Sequence, residues 1–547
     1  MDFKQELLNS LNKQIKEEII IEIPPNPQFG DFALPTFKLS KKAPELQKLL
    51  KLPKFIEKTE VKGPYLNFFI KKEIFTKGIL EEILKNKFIY LQKEKTKVVI
   101  EYPSPNTNKP LHLGHIRNMI YGQAIVRLLL LKGNEVIEVN LLNDRGIHIC
   151  KSMLAYKKWG NNSPPDKKPD HFVGDFYVLF ENKNKENSEL EKEALEMLNK
   201  WEKGDKQTIQ LWKKMNSWAT KGFDETFKQF NLNFKKTYKE SAIYRRGAHI
   251  VDQGLKKGKF VKDKTGAIIA ELEGYNLPNK VLLRQDGTSI YITQDIALAQ
   301  EKYEDFKMGL SIIVSATEQN LHFKQLFKIL EILGYSFNNE HLSYGMVLLP
   351  EGRMKSREGK VVDADDLINE ITLAVKEEIL KRYNNLSEKE IEKRSKVIAM
   401  AAMRYYILKI DPNKDIVYNP QESISFEGET GPYLLYTYAR INSILKKSKK
   451  FKVNYEKLTN PTEQSLIFQL SQYNKTLEDS IKNRKPSLLC NLLFKIAQTY
   501  NEFYHSLPIL KASTAEEKEA RLTLSKATAT IIKQGLSLLG IETLEEM

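Results

Sequence analysis

Apolar and polar positions along the chain follow two rhythms. Between about residues 95 and 370, short apolar, β-branched runs alternate with helical patterns. The runs predict strands over residues 98–102, 136–142, 309–315 and 346–349. After His115, the apolar residues Ile116, Met119, Ile120, Ala124, Leu128 and Leu131 share one helical face, and a second helix is predicted over residues 321–333. Strands alternating with helices imply a parallel, doubly wound, Rossmann-like sheet. Ligands of such sheets bind beyond the carboxyl ends of the strands. The flanks read differently. Residues 1–92 suggest a small α+β domain: a helix over 3–18, a Pro-rich turn at 24–27 and a strand in the later part of 61–70. Residues about 150–235 are lysine-rich and helical and read as an insertion into the central domain of residues 93–372. From 373 to 547 the pattern is helical almost throughout, which predicts an all-α bundle. The expected class is therefore multidomain α/β.

Composition narrows the setting. Hydrophobic residues make up 41% and charged residues 29%, as expected of folded domains rather than a disordered chain. Cys150 and Cys490 stand far apart without a CxxC, which argues against a disulfide framework and against a protein-bound, cysteine-ligated zinc. The amino terminus reads as a charged amphipathic helix without a signal-peptide core. No apolar run is long enough to span a bilayer. A reduced, cytoplasmic setting without a membrane partner is expected. Lysine and arginine outnumber aspartate and glutamate by 86 to 70, a net charge of +16. That excess favours a polyanionic partner such as nucleic acid; a lysine-inflating, AT-rich genome would leave the same mark.

The chemistry concentrates at one turn. Ser104-Pro105-Asn106-Thr107-Asn108-Lys109-Pro110-Leu111-His112-Leu113-Gly114-His115 joins the strand at 98–102 to the helix after His115. Histidines at i and i+3 point the same way from a first helical turn. Free backbone N–H groups there attract anions, so a triphosphate fits. Two capping histidines beside a packing glycine is the competing reading. Downstream, Glu351-Gly352-Arg353-Met354-Lys355-Ser356-Arg357 is a basic loop able to reach phosphates, or an ordinary solvated charge run. In Arg284-Gln285-Asp286-Gly287-Thr288-Ser289-Ile290-Tyr291-Ile292-Thr293-Gln294-Asp295, a strand-like alternation puts Tyr291, Thr293 and Asp295 on one side. Asp295 with Tyr291 offers part of the fork geometry a planar cation needs; Asp295 could equally cap a helix. Asp363-Ala364-Asp365-Asp366 could chelate a metal, but first-turn charge for the helix that follows is the simpler account. No metal site is expected.

Taken in order, these segments resemble those of class I aminoacyl-tRNA synthetases. His112-Leu113-Gly114-His115 resembles the family's His-x-Gly-His signature, and Arg353-Met354-Lys355-Ser356-Arg357 a degenerate Lys-Met-Ser-Lys-Ser. The missing second lysine, the segment from Arg284 to Ala297, and Glu318-Gln319-Asn320-Leu321-His322 are similar to arginyl-tRNA synthetases in particular. In members lacking that lysine, one just before the histidine motif is thought to compensate, the place of Lys109. Gly30-Asp31-Phe32-Ala33, Gly63-Pro64-Tyr65-Leu66-Asn67-Phe68 and Gly431-Pro432-Tyr433-Leu434 extend the resemblance over essentially the whole chain.

The resemblance implies an N-terminal tRNA-contacting domain, a catalytic domain and a helical anticodon-binding domain. It implies arginyl-adenylate formation from L-arginine and ATP with Mg2+, then transfer to tRNA(Arg), with tRNA bound before arginine is activated. A monomer is expected. It maps an arginine pocket onto Glu101, Asn106, Tyr291, Asp295 and Gln319. It maps ATP contacts onto Asn108, Lys109, His112, Gly114, His115, His322, Met354, Lys355 and Ser356, with Lys109, His112, His115, Lys355 and Arg357 acting on the phosphates. Arg404, Tyr436 and Arg440 are expected to meet tRNA. A synthetase for another amino acid and a non-catalytic tRNA-binding paralogue are the rivals.

Overall fold

The structure is a computed structural model that describes residues 3–24, 27–349, 352–353, 362–383 and 385–547. The N-terminal unit comprises α1 (Phe3–Asn12), β1 (Phe32–Pro35), α2 (Ala43–Leu49), β2 (Ile56–Lys62), β3 (Tyr65–Ile70) and α3 (Lys72–Leu84). Its antiparallel sheet runs β1-β3-β2 over a core of its own that includes Leu7, Leu34, Leu66 and Phe68. The predicted first helix is shorter than its pattern: it ends at Asn12, before the β-branched run at Ile19-Ile20-Ile21.

The central domain opens with β4 (Lys97–Glu101), α4 (Leu113–Lys132) and β5 (Glu135–Leu142). The helices α5 (Ile147–Trp159), α6 (Pro169–Glu186), α7 (Glu189–Glu202) and α8 (Lys206–Gln229) follow, packed on a separate core around Met153, Phe180 and Met215. The chain returns through β6 (Lys236–Lys239), α9 (Glu240–Lys256), a small antiparallel sheet of β7 (Val261–Lys262), β8 (Ile268–Ala270) and β9 (Lys280–Leu283), α10 (Tyr291–Phe306), β10 (Leu310–Ala316), α11 (Asn320–Leu333) and β11 (Asn338–Tyr344). The main sheet is five-stranded, β11-β10-β4-β5-β6, with every pairing parallel. Both faces are covered, so β4 is apolar on both. Val98 and Ile100 pack towards α4, and Val99 towards α10 and α11.

Two expectations are corrected here. The run at 346–349 is not a strand of the main sheet. As β12 (Val347–Leu349) it pairs with β13 (Gly352–Arg353) and β14 (Ile416–Val417). The outer strand is β11, Asn-Asn-Glu-His-Leu-Ser-Tyr, which as an edge strand lacks an apolar run. Residues 291–295 are not extended but open α10, where Thr293 caps the backbone N–H of Ile290 at 3.1 Å.

The expected boundary at 372/373 falls inside a continuous helix, α12 (Ala364–Arg382). It leads to α13 (Glu388–Leu408), α14 (Pro420–Ser423), α15 (Gly431–Ser448), α16 (Pro461–Ser471), α17 (Tyr473–Lys482), α18 (Pro486–Ser506) and α19 (Ala515–Leu538). This bundle shares one hydrophobic core with α4 and β4: Val98 and Ile120 belong to the same cluster as Ile398, Leu434, Leu493 and Ile531. Arg117, buried on α4, donates to the carbonyls of Gly345 (2.6 Å), Met346 (3.0 Å), Pro412 (3.0 Å) and Lys414 (2.8 Å). One guanidinium thus satisfies four carbonyls where the catalytic sheet hands over to the bundle.

Helix α10 is set against α9 by a close approach. Gly247 of α9 lies on the Thr293 carbonyl with no room for a Cβ. Gly247→Ala is expected to destabilise the chain by about 1–3 kcal/mol, the usual cost of overpacking, read as a lower urea midpoint.

Candidate active site

The His112–His115 turn lies beyond the carboxyl end of β4, where the fold rule places ligands. The capping reading is correct as far as it goes. The Gly114 N–H donates to His112 Nδ1 at 3.1 Å, and the His112 N–H donates to His115 Nδ1 at 3.1 Å. The rings stand 4.0 Å apart between centroids. These bonds decide more than the cap. An imidazole whose Nδ1 accepts must, when neutral, carry its proton on Nε2. Burial pushes the His112 pKa down to about 3, helped by the ammonium of Lys109, and burial, His112 and Lys109 depress His115 further. At neutral pH both rings are uncharged, with Nε2–H left as the donor. Capping fixes the tautomer that an anion needs.

Both rings line a cleft of about 730 Å³, a volume usual for small-molecule sites. Gly114, Glu101, Asn106, Tyr291, Asp295, Gln319 and His322 line it too. The structure therefore gathers the five expected pocket residues from four separate segments around the histidine turn. Tyr291 and Asp295 do share a face, but through helical i, i+4 spacing rather than strand alternation. Thr293, between them, is buried and donates to the carbonyl of Leu282.

Partners refine several expectations. Glu101 is 5% exposed; its Oε2 meets Lys302 Nζ of α10 at 2.7 Å, and Ser104 Oγ donates to Oε1 at 3.4 Å. His322, expected on the nucleotide, has its Nε2 2.5 Å from Asp295 Oδ2, which makes it part of the Asp295 wall. Asn108, also expected on the nucleotide, is buried beneath the turn and does not line the cleft. Met354, Lys355, Ser356 and Arg357 lie outside the described residues.

Sequence reasoning missed Arg145, Glu240 and Gln294, which line the same cleft. Glu240 opens α9; burial raises its pKa to about 7, opposed by Arg145, whose Nη1 is 3.9 Å away, and by a hydrogen bond from Gln294. Asp144 holds the start of α9 in place, accepting from the Ser241 N–H (2.9 Å) and Oγ (2.8 Å). Asn143-Asp144-Arg145-Gly146 follows directly on the predicted strand 136–142, so the carboxyl-end rule could have found it.

The three expected tRNA contacts separate. Arg404 is corrected: at 3% exposed it donates to the Phe230 carbonyl at 3.1 Å, at the junction of bundle and insertion, because it lies on the inward face of α13. Tyr436 and Arg440 are partly open. Arg440 donates to Asn501 Oδ1 (2.7 Å) and Tyr436 Oη (3.0 Å), and its guanidinium stacks on Tyr436 and Tyr504, with centroids 4.6 and 5.0 Å away. Two open grooves of about 670 and 660 Å³ flank it.

A parallel α/β sheet, a capped histidine turn at its carboxyl edge and a helical bundle fused to the same core define the class I aminoacyl-tRNA synthetase architecture. Comparison with known proteins agrees. The model of class I (R) tRNA synthetase catalytic domains matches residues 79–419, that of the arginyl-tRNA synthetase N-terminal domain residues 2–70, and that of the DALR anticodon-binding domain residues 434–547. The chain is 42% identical to the arginine–tRNA ligase of Treponema denticola, over 98% of this chain and 96% of that one. It is 39% identical to that of Borrelia duttonii, over 100% and 99%. Thermus thermophilus arginyl-tRNA synthetase superposes with a TM-score of 0.85 at 25% identity, covering 100% of this chain and 99% of that one. This chain belongs to the arginyl-tRNA synthetase family, whose members use ATP as a substrate. Among the described residues no helix is long and apolar enough to cross a membrane.

Proposed function

We propose that this chain activates L-arginine with ATP and passes the arginyl group to the 3′ end of tRNA(Arg). The observation that carries this reading is one cleft lined by both carboxylates and neutral imidazole donors. Glu101, Glu240 and Asp295 line it together with His112 and His115. A guanidinium needs anionic acceptors in a fork; a triphosphate needs donors and positive charge.

Asp295 and Glu240, from adjacent helices, take the guanidinium. Glu101 and Asn106 flank the histidine turn and so face the amino-acid end that reacts. The substrate carboxylate oxygen attacks the α-phosphorus, the bond from that phosphorus to the bridging oxygen breaks, and pyrophosphate leaves. A ribose hydroxyl of the tRNA then attacks the arginyl carbonyl, and AMP leaves. Such chemistry rests on alignment and charge stabilisation, with no protein nucleophile. His112 and His115 donate through Nε2 to phosphate oxygens. Lys109, whose ammonium is felt by both rings, supplies fixed positive charge beside them. Mg2+ accompanying ATP would supply further neutralisation of the phosphate charge. In the bundle, Tyr436 and Arg440 with Tyr504 offer stacking faces for unstacked tRNA bases.

ATP–pyrophosphate exchange, run with each amino acid in the presence and absence of tRNA, tests the reading. Exchange is expected with arginine and with no other amino acid, and only in the presence of tRNA. Exchange driven by a different amino acid would make the chain a synthetase of another specificity. No exchange under any condition would make it a tRNA-binding paralogue.

A further inference from the structure

One cluster of charged side chains outside the cleft is unused by this mechanism. On α6, or at its N-terminus, lie Lys168, Asp170 and His171; facing them are Asp363 and Asp365 at the start of α12. Lys168 Nζ is 2.6 Å from Asp365 Oδ2 and 3.3 Å from Asp170 Oδ2. His171 Nε2 is 3.0 Å from Asp365 Oδ2, and its Nδ1 is 3.6 Å from Asp363 Oδ2. Thr226 and Gln229 of α8 donate to Asp365 Oδ1, each at 3.3 Å. The carboxylates and imidazole have the makings of a cation site, but the Lys168 ammonium already stands between Asp170 and Asp365. The cluster is an internal ion-pair network.

Its location gives it a use. Asp363 pairs with His112 as an antiparallel bridge. The Leu113 N–H donates to the Val362 carbonyl at 3.0 Å, and the Ala364 N–H to the Leu111 carbonyl at 2.9 Å. Residues 362–364 are thus the backbone splint of the histidine turn, and their side chains are held by the insertion. The same helix α6 touches the turn on its other side. Gly174 packs on Pro110, where an added Cβ would stand 2.6 Å from Pro110 Cδ.

We propose that Lys168 and His171 are positioning residues for ATP: from the inserted helices they clamp Asp363 and Asp365, and through that splint they hold His112 and His115 in register with the nucleotide. The proposal rests on the reading of the cleft given above. The clamp is little exposed to solvent, the condition under which loss of one partner is felt most. Its charge state supports it. The hydrogen bond to Asp365 raises the His171 pKa, with further help from Asp170 and Asp363 and against burial. Burial raises Asp363 to about 6, against His171 and with Asp366 and Asp170 adding to it. The His171 contribution is therefore complete at low pH and lost as pH rises through its raised value. The Asp363 charge that meets it is present only above about 6.

The test uses the full chain with saturating tRNA. In ATP–pyrophosphate exchange, His171→Gln and Lys168→Met are expected to raise KM for ATP by about tenfold, the scale on which small misplacements are felt. KM for arginine should stay within about twofold, and Lys168→Arg should restore most of the loss. The gap between wild type and His171→Gln should close as pH rises through the His171 titration. Calorimetric titration of a non-hydrolysable ATP analogue and of arginine gives the same split without turnover. Equal loss for ATP and arginine, or no loss in either, overturns the clamp while a wild type active on arginine leaves the reading of the cleft standing. A wild type that binds neither substrate overturns both.

Discussion

Asp295→Asn is expected to lower kcat/KM for arginine by roughly 10²- to 10³-fold, about 3–4 kcal/mol, the scale for removing one charge of a desolvated hydrogen-bonded pair. Nucleotide affinity should move by less than about twofold. The asymmetry follows from where the side chain stands. Asp295 is on the wall made by α10 and α11, bonded to His322, with no contact to the His112–His115 cap. Asparagine keeps the volume and one acceptor oxygen, so the helix is undisturbed, and only the negative charge proposed to face the guanidinium is lost. Steady-state exchange with arginine and ATP varied separately reads the effect. Arginine-dependent aminoacylation at the wild-type rate in this variant would remove Asp295 from the pocket.

His115 gives the second large effect, because it does two things that can be separated. Its Nδ1 accepts from the His112 N–H, which closes the cap of α4; its Nε2–H is the proposed phosphate donor. His115→Ala removes both functions. His115→Asn keeps a short acceptor for the cap and removes the distal donor. Both variants are expected to lose roughly 10² in kcat for adenylate formation, as when one donor to a developing oxyanion is deleted. Only the alanine variant should also lose the ~0.5–2 kcal/mol of a missing cap, seen in urea unfolding. An asparagine variant as active as wild type would reduce His115 to a structural cap.

Much of this site is legible from the chain alone, because its densest part is contiguous. Residues 97–132 form a strand, a turn and a helix whose periods are unambiguous, and the turn bears the histidines. Two kinds of error mark the limits. Ser289-Ile290-Tyr291-Ile292-Thr293 reads as extended because β-branched and aromatic residues favour strands. The Thr293 cap and the close packing of α9 at Gly247 override that preference. Propensity is local; those two contacts are not. Glu240 and the Lys168–His171 pair escaped for a different reason. Each lies in a stretch whose local pattern is ordinary helix or lysine-rich surface, and only the return of α6, α8 and α9 to the sheet gives it a partner. Arg404 misleads in the opposite sense. It neighbours tyrosines on a basic stretch, yet the helix turns it inward.

Helix α10 also sets a limit on redesign. Asp295 and Lys302 are seven residues apart, two turns of the same helix, so one rigid rod carries the proposed anchor for the substrate's side chain and the ammonium that holds Glu101. On the proposed reading, exchanging Asp295 alone for a residue suited to a different amino acid would leave Glu240 in place, still suited to a guanidinium, while Glu101 and its buried partner serve the end common to every amino acid. Lys302 could not then be neutralised independently, since Glu101 would be left as an uncompensated interior charge. Retargeting this cleft would therefore require Asp295 and Glu240 to be exchanged together, with Glu101 and Lys302 left in place, and single-site libraries at Asp295 should yield weakened arginine enzymes rather than enzymes of new specificity.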